Sequence, residues 1–201
     1  IDSAGKGYMD GLIIGTFAAG TDKLYDWLDR NPAVMLLPVD EVNDVRVIAQ
    51  NQRLKSINST ILVDFNGQAA SDAIGSSQVS GIGGQLEFVT GAQLSPGGRS
   101  LLCLKSCNRV RGELRSCIVP TLPAETPVSV PRPLVDLVVT EHGVADLRLL
   151  DSVDRVHALV AIADPRFRAE LIAAARAQGL WERRPGFGSF KQRALFNHLG
   201  W

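Results

Sequence analysis

A glycine-rich segment, Ser80-Gly-Ile-Gly-Gly-Gln-Leu-Glu-Phe88, has the clearest capacity for chemistry in this sequence. Gly81, Gly83 and Gly84 carry no Cβ, so backbone N–H groups at these positions can approach a ligand closely. Such amides bind a phosphate or stabilise a developing oxyanion, and a glycine-rich hairpin or bulge without a ligand is the alternative. The residues after Gly84 predict a strand, which disfavours a nicotinamide dinucleotide site, because that fingerprint needs G-x-G-x-x-G between a strand and a helix.

Two polar clusters follow predicted strands. Glu141 and His142 come directly after the apolar run 134–140, and Asn43 lies in Pro38-Val-Asp-Glu-Val-Asn-Asp44. Binding groups in α/β sheets gather at strand ends, so both clusters are candidate site positions. A solvated loop at Glu141 and simple turn formation at Asn43 are the alternatives.

The remaining polar candidates are weaker. Arg109-x-Arg111 is suited to a phosphate group, although a solvated loop explains the same pair. His157 and His198 fit packing or surface positions better than ligand positions. The sequence has no serine in a G-x-S-x-G elbow, so nothing in it indicates Ser-His-Asp catalysis.

The elements that must position these residues alternate between strands and helices in the first half of the chain. One helix is predicted to begin after Thr21 and to bury Leu24, Trp27 and Leu28 on one face. In the predicted strand 56–64, Ile57, Ile61 and Val63 lie on one face at a period of two. The other predicted strands are 11–17, 34–39, 100–104, 115–119 and 134–140.

The C-terminal third predicts helices. One is capped by Asp151 or Ser152 and runs through Ala163, and the next begins at Asp164-Pro165 and ends before Gly179 as its C-cap. The pattern predicts one α/β domain with a mixed sheet over residues 1–180. Residues 181–201 are predicted to form an extension docked on that domain, with a short helix at 190–201.

Composition restricts the class of protein. The 201 residues are 45% hydrophobic and 21% charged, which supplies a globular core. A formal net charge of zero disfavours a nucleic-acid partner, and no apolar run reaches the roughly 20 residues that span a bilayer. The three cysteines suggest free thiols in a reducing cytoplasm, with no second Cys/His pair to complete a metal site. Because the chain begins with Ile1, we expect it to start inside a longer polypeptide.

Six segments, in this order and spacing, resemble the acetyl-CoA hydrolase/transferase family of class I CoA-transferases, and the resemblance extends over about residues 10–175. They are Gly11-Leu-Ile-Ile-Gly-Thr-Phe-Ala-Ala-Gly20, Pro38-Val-Asp-Glu-Val-Asn-Asp44, Asp64-Phe-Asn-Gly-Gln68, Ser80-Gly-Ile-Gly-Gly-Gln85, Val139-Thr-Glu-His-Gly-Val-Ala-Asp-Leu-Arg148 and Ile162-Ala-Asp-Pro165.

The resemblance implies an α/β fold of the NagB/RpiA/CoA-transferase-like type, an open mixed sheet flanked by helices, with a helical C-terminal part. Two such domains of one polypeptide hold the active site between them. A glutamate attacks an acyl-CoA and passes through a glutamyl-CoA thioester, and a short carboxylate then collects the coenzyme A. The matching glutamate would fall upstream of Ile1, so the isolated chain is expected to be inactive without its N-terminal partner domain.

The same resemblance assigns roles to residues. It implies that Gly84 supplies an oxyanion-hole amide and, with Gly81 and Gly83, contacts coenzyme A. Asn43 would orient the missing glutamate, and Glu141 would support the acyl or carboxylate site. Arg111 falls near a family lysine that meets coenzyme A. In that segment a family motif like Leu-Pro-Ser-Thr-Ala-Lys is replaced by Leu104-Lys-Ser-Cys-Asn-Arg-Val-Arg111.

Several alternatives stay open at this point. An acetyl-CoA hydrolase differs only in that water reaches the thioester, which this half of the site does not decide. A nicotinamide dinucleotide-binding oxidoreductase domain and a non-catalytic interaction domain are hypotheses from other classes. The oligomeric state is also open, with a homodimer among the alternatives.

Overall fold

The computed structural model describes residues 5–182, which form two compact units. The first unit comprises the described residues up to Ser56 together with Leu86–Arg99, and the second comprises Ile57–Gln85 together with the described residues from Ser100 onward. The predicted division at residue 180 stays a prediction. Most of the expected extension, including the helix predicted at 190–201, lies outside the described residues.

The first unit begins with a strand–helix–strand arrangement. β1 (Ile13–Gly15) pairs in parallel with β2 (Val34–Leu36), and α1 (Asp22–Leu28) connects them, as parallel neighbours require a crossover. Two short helices follow, α2 (Val39–Val42) and α3 (Val45–Ala49). The predicted strands 11–17 and 34–39 are therefore both shorter than expected.

The predicted buried face of α1 is wrong. No residue of α1 is buried, and Trp27 is 50% exposed. Phe17, before α1, and Leu36 of β2 are 76% and 55% exposed. The helical period reveals that one face of α1 is apolar, but it carries no information about what covers that face.

A close helix contact organises the core of the first unit. α4 (Gln85–Leu94) buries Val89, Gly91 and Ala92, and Ile48 of α3 is 3% exposed. A Cβ added at Gly91 would lie 2.3 Å from Cγ2 of Ile48. The absence of a side chain at Gly91 therefore sets how closely α4 approaches α3.

The second unit contains mixed sheets, which confirms the predicted α/β class. The strands are β3 (Lys55–Ser59), β4 (Leu62–Asp64), β5 (Ala69–Ala70), β6 (Ala73–Ile74), β7 (Ser77–Gln78), β8 (Arg99–Cys103), β9 (Cys107–Val110), β10 (Glu113–Ser116), β11 (Ile118–Val119), β12 (Leu137–Thr140) and β13 (Gly143–Asp146). A four-stranded sheet has the order β13-β12-β8-β3, with β12 parallel to β8 and antiparallel to β13. A three-stranded sheet has the order β11-β4-β5, and β6–β7 and β9–β10 form separate hairpins.

The single strand predicted at 56–64 is wrong, because the chain changes sheets within it. The N–H of Thr60 donates to the carbonyl of Cys103 at 2.9 Å, whereas the N–H of Ile61 donates to Ala70 at 3.0 Å. As a result Ile57 is 68% exposed while Val63 is fully buried. The predicted strand 115–119 is likewise divided between β10 and β11, and a 3₁₀ turn (Arg132–Leu134) precedes β12.

The predicted starts of both helices in the last third are confirmed, whereas α5 ends at Ala161, two residues before the predicted end at Ala163. In α5 (Ser152–Ala161), the side chain of Asp151 caps the first turn by accepting from the N–H of Asp154 at 2.9 Å. In α6 (Pro165–Ala177), Asp164 accepts from the N–H of Arg166 at 2.9 Å. Within the described part of the chain, no helix is long and apolar enough to cross a bilayer.

A Schellman motif ends α6 at the predicted glycine. Gly179 has a φ of +66°. Its N–H donates to Arg176 at 2.9 Å, and the N–H of Leu180 donates to Ala175 at 2.8 Å.

Candidate functional site

The glycine-rich loop lies open on the surface of the second unit. The N–H groups of Val79 and Ser80 both donate to the carbonyl of Asp72, at 2.7 and 3.1 Å, which anchors the start of the loop. Gly81 and Gly83 are exposed, and a Cβ at either position would meet nothing within 4 Å. Gly83 has a φ of +62°, a conformation that glycine adopts without strain. The loop thus presents uncovered backbone, as a ligand-binding loop requires.

The strand predicted after Gly84 is wrong, because α4 begins at Gln85. The first N–H groups of an α-helix have no partner within the helix, so the loop leads into further donors. A dinucleotide fingerprint is still not formed. The residues before the loop form the antiparallel hairpin β6–β7, and the last glycine position of the motif is occupied by Leu86.

Glu141 and His142 form the two-residue turn between β12 and β13, in which Thr140 pairs with Gly143. The hydroxyl of Thr140 donates to the carbonyl of Ile162 at 2.6 Å and accepts from the N–H of His142 at 3.1 Å. These bonds fix the backbone of the turn against the end of α5. The prediction that Glu141 follows a strand directly is confirmed, but the strand after it was missed.

The Glu141 carboxylate is held by one serine. The Ser106 hydroxyl donates to Oε1 at 2.7 Å, and the Ser106 N–H donates to Oε2 at 2.9 Å. The hydrogen bond from the Ser106 hydroxyl is the main reason why the pKa of Glu141 lies below its usual value. Glu141 is exposed, whereas Ser106 is fully buried. The site therefore contains an ionised carboxylate in a defined orientation.

Sequence reasoning missed Ser106. It stands 35 positions before Glu141 in the segment that departs from the family motif, and no local period or spacing connects the two residues. The pairing arises because the connection from β8 to β9 lies beside the end of β12, where the N–H of Leu104 donates to Val139 at 3.0 Å.

Asn43 lies in the first unit, at the C-terminal end of α2. Its N–H donates to the carbonyl of Val39 at 2.9 Å. The next residue, Asp44, caps α3 and pairs with Arg46, which lowers the pKa of Asp44 to about 2. Glu141 and the glycine loop belong to the second unit.

Arg111 lies at the tip of the β9–β10 hairpin. Arg111 and Gly112 have φ values of +52° and +86°, as in the type I′ turns that close two-residue hairpins. Arg109 donates to the carbonyl of Gly112 at 3.0 Å and so supports the turn, whereas Arg111 extends from the exposed tip. The segment is thus a hairpin that presents the Arg111 cation at its exposed turn.

Neither a metal site nor a cavity of the first unit involves the predicted site residues within the described part of the chain. Within residues 5–182, no group of three or more His, Cys, Asp or Glu side chains is arranged to hold a metal ion. A cavity of about 260 Å³ in the first unit has mainly apolar walls, including Ile14, Val42 and Phe88. None of the predicted site residues lines it.

The α/β fold and the match to a family model define a CoA-transferase-type domain. A family model described as "Acetyl-CoA hydrolase/transferase C-terminal domain" matches residues 20–175, and the chain belongs to this family.

Curated relatives carry transferase names. The chain is 42% identical over 168 residues to "Butyryl-CoA:acetate CoA-transferase" of Anaerostipes caccae, covering 83% of this chain and 38% of the relative. It is 42% identical over 172 residues to "4-hydroxybutyrate coenzyme A transferase" of Clostridium kluyveri, covering 86% of this chain and 40% of the relative. The chain thus spans about two fifths of the length of these relatives.

Solved structures agree with the fold. RipA from Yersinia pestis superimposes with a TM-score of 0.80 at 38% identity, over 90% of this chain and 40% of that one. The 4-hydroxybutyrate CoA-transferase abfT-2 from Porphyromonas gingivalis superimposes with a TM-score of 0.71 at 35% identity, over 88% of this chain and 40% of that one. The predicted family and fold class are confirmed, and the nicotinamide alternative is left without support.

Proposed function

We propose that this chain is the C-terminal half of an acyl-CoA:carboxylate CoA-transferase that works through a glutamyl-CoA thioester. The observation that carries the proposal is sequence similarity: over 83% and 86% of its length, the chain is 42% identical to two relatives named as CoA-transferases. The open glycine loop supports it, because uncovered backbone N–H groups suit a site that handles thioesters and carboxylates. The fixed orientation of the Glu141 side chain is compatible with a supporting role there.

The proposed reaction proceeds by exchange at one glutamate outside this chain. Its carboxylate attacks the thioester carbonyl and expels the coenzyme A thiolate, which leaves a mixed anhydride. The thiolate then attacks the glutamyl carbonyl and releases the first carboxylate, so the enzyme carries a glutamyl-CoA thioester. An incoming carboxylate reverses the sequence, receives the coenzyme A and regenerates the glutamate.

The residues of this chain have supporting roles in that scheme. The Gly84 amide stabilises the oxyanion that forms at each attack, with Gly81 and Gly83 keeping the approach to coenzyme A open. Asn43 orients the attacking glutamate. Glu141 supports the acyl or carboxylate site, and Arg111 contacts coenzyme A from its hairpin tip.

Partners follow from the same proposal. The substrates are an acyl-CoA and a short carboxylate, and the N-terminal domain of the same polypeptide supplies the nucleophile. Three free cysteines, Cys103, Cys107 and Cys117, support a reducing compartment such as the cytoplasm. A homodimer is compatible with the exposed apolar residues of the first unit.

A hydrolase is the second candidate, since the family name includes acetyl-CoA hydrolases. The two activities differ in whether water or a carboxylate attacks the glutamyl-CoA. The relatives named above are transferases, which favours transfer over hydrolysis.

The test is a transfer assay on the whole protein as its gene encodes it. Acetyl-CoA or butyryl-CoA is mixed with a labelled short carboxylate, and labelled acyl-CoA and free thiol are both measured. We expect labelled acyl-CoA to accumulate faster than free thiol. Free thiol without labelled product would indicate the hydrolase, and no turnover with either donor would refute the proposal.

A Gly84→Val variant tests the glycine loop in the same assay. Obstruction of one oxyanion donor is expected to lower kcat by about 100- to 1,000-fold. Wild-type turnover in a folded Gly84→Val protein would show that the loop has a structural role only.

A further inference from the structure

We infer that Ser106 is a positioning residue of the proposed transferase site, whose hydroxyl and amide together hold the Glu141 carboxylate in one orientation. The inference rests on the proposed function and deepens it, because neither the motifs nor the family resemblance assigns a role to Ser106. The two hydrogen bonds, at 2.7 and 2.9 Å, engage both carboxylate oxygens from a single residue. Such a pair fixes direction as well as distance.

Ser106 is itself immobilised on two sides. It is fully buried, and its carbonyl accepts from the N–H of Cys117 at 2.9 Å. Two residues earlier, the N–H of Leu104 donates to Val139 of β12 at 3.0 Å. Ser106 is therefore a rigid donor, and Glu141 is the exposed partner that it orients.

The turn does not need this interaction for its own shape. The β12–β13 ladder and the two hydrogen bonds of Thr140 already define the backbone at residues 141 and 142. The bonds from Ser106 instead restrict the side chain of Glu141, which would otherwise sample several rotamers at an exposed position. The backbone of the turn is therefore independent of Ser106, which acts on the side chain of Glu141 alone.

The groups around Glu141 favour its ionised form, in which the carboxylate only accepts hydrogen bonds. His142 in the same turn favours the ionised form, Lys105 precedes Ser106, and Cys117 lies on the neighbouring segment. Burial is the main reason why the pKa of the Cys117 thiol rises to about 11, so the thiol is neutral near pH 7. Ser106 thus fixes an ionised carboxylate that receives hydrogen bonds, not a proton donor.

The test compares Ser106→Ala with Ser116→Ala in the whole protein. The Ser116 hydroxyl donates to the carbonyl of Ile118 at 2.7 Å in the same hairpin region and has no hydrogen bond to Glu141. For Ser106→Ala, we expect kcat/KM to fall by about 10- to 100-fold, the range for a lost hydrogen bond to a charged group. Ser116→Ala should retain wild-type kcat/KM.

The pH dependence of kcat/KM distinguishes a positioning role of Ser106 from a merely structural one, because a structural role would leave it unchanged. In the wild type, the hydrogen bond from the Ser106 hydroxyl favours the ionised form of Glu141 and holds the pKa of Glu141 below its usual value. Without the Ser106 hydroxyl it is protonated at higher pH, so the acid limb of kcat/KM moves to higher pH. Ser106→Thr keeps the donor and should restore the limb.

A double variant completes the experiment. If Ser106 acts through Glu141, Ser106→Ala combined with Glu141→Gln should be no worse than Glu141→Gln alone. Additive losses, or a Ser106→Ala protein with wild-type kcat/KM and acid limb, would overturn the inference while leaving the transferase proposal intact. A wild-type protein that transfers no coenzyme A would instead refute the proposed function, and the role of Ser106 with it.

Discussion

Gly81 and Gly83 lie in the same exposed loop, yet a side chain has different consequences at each. A Cβ meets open space at both positions, but only Gly83 has a positive φ, at +62°. The loop therefore offers a matched pair in which backbone strain and ligand access are separable.

We expect Gly83→Ala to lower the free energy of unfolding by about 1 kcal/mol, because alanine is strained at positive φ. Gly81→Ala should instead raise the free energy of unfolding by up to about 1 kcal/mol, because alanine restricts the unfolded chain and fits here without strain. Both variants should lose CoA-transfer activity if ligand approaches the backbone of this loop. Urea unfolding and the transfer assay measure the two effects, and full activity in Gly81→Ala would show that no ligand approaches at that position.

The individual residues of the site differ in how far the sequence predicts them. Glu141 was predictable because an apolar strand ends directly before it, and the glycine loop because its composition is unusual. Ser106 was not predictable. Its importance depends on two hydrogen bonds across 35 residues, which only the pairing of β8 with β12 brings about.

Among the secondary-structure elements, the close contact between α3 and α4 requires a residue without a side chain at position 91. Gly91 is buried in the middle of α4, where alanine would be the better helix former. The added methyl group would nevertheless lie 2.3 Å from Cγ2 and 2.7 Å from Cβ of Ile48. Packing and helix propensity therefore oppose each other at this position.

We expect packing to prevail, so that Gly91→Ala lowers the free energy of unfolding by about 1 to 2 kcal/mol. In an Ile48→Ala background the same substitution should cost less, since the nearest atom is gone. Denaturant unfolding of the four proteins of this cycle measures the coupling. A stabilised Gly91→Ala protein would show that α4 moves away from α3 without penalty.

The elements also differ in how well the sequence predicts them. The caps of α5 and α6 were predictable because Asp151 and Asp164 bond to N–H groups only two or three residues away. The break between β3 and β4 was not, because Thr60 and Ile61 take partners in different sheets. The helix after Gly84 was missed since Leu86 and Phe88 alternate like strand residues in so short a window.

For the whole molecule, the exposed apolar residues of the first unit and the length of the relatives are relevant to the proposed function. Phe17, Trp27 and Leu36 of the first unit are all at least half exposed. The family model matches residues 20–175, and the relatives are more than twice as long as the matched region. These facts agree with the proposed larger protein, in which an N-terminal domain supplies the nucleophile.

The most direct test of this account is the site of covalent attachment. The whole protein would be incubated with an acyl-CoA in the absence of an acceptor, digested, and mapped by mass spectrometry. We predict one coenzyme A joined as a thioester to a glutamate in a peptide that is absent from these 201 residues. Attachment to a residue within this chain, or transfer activity without any enzyme-bound coenzyme A, would contradict the account.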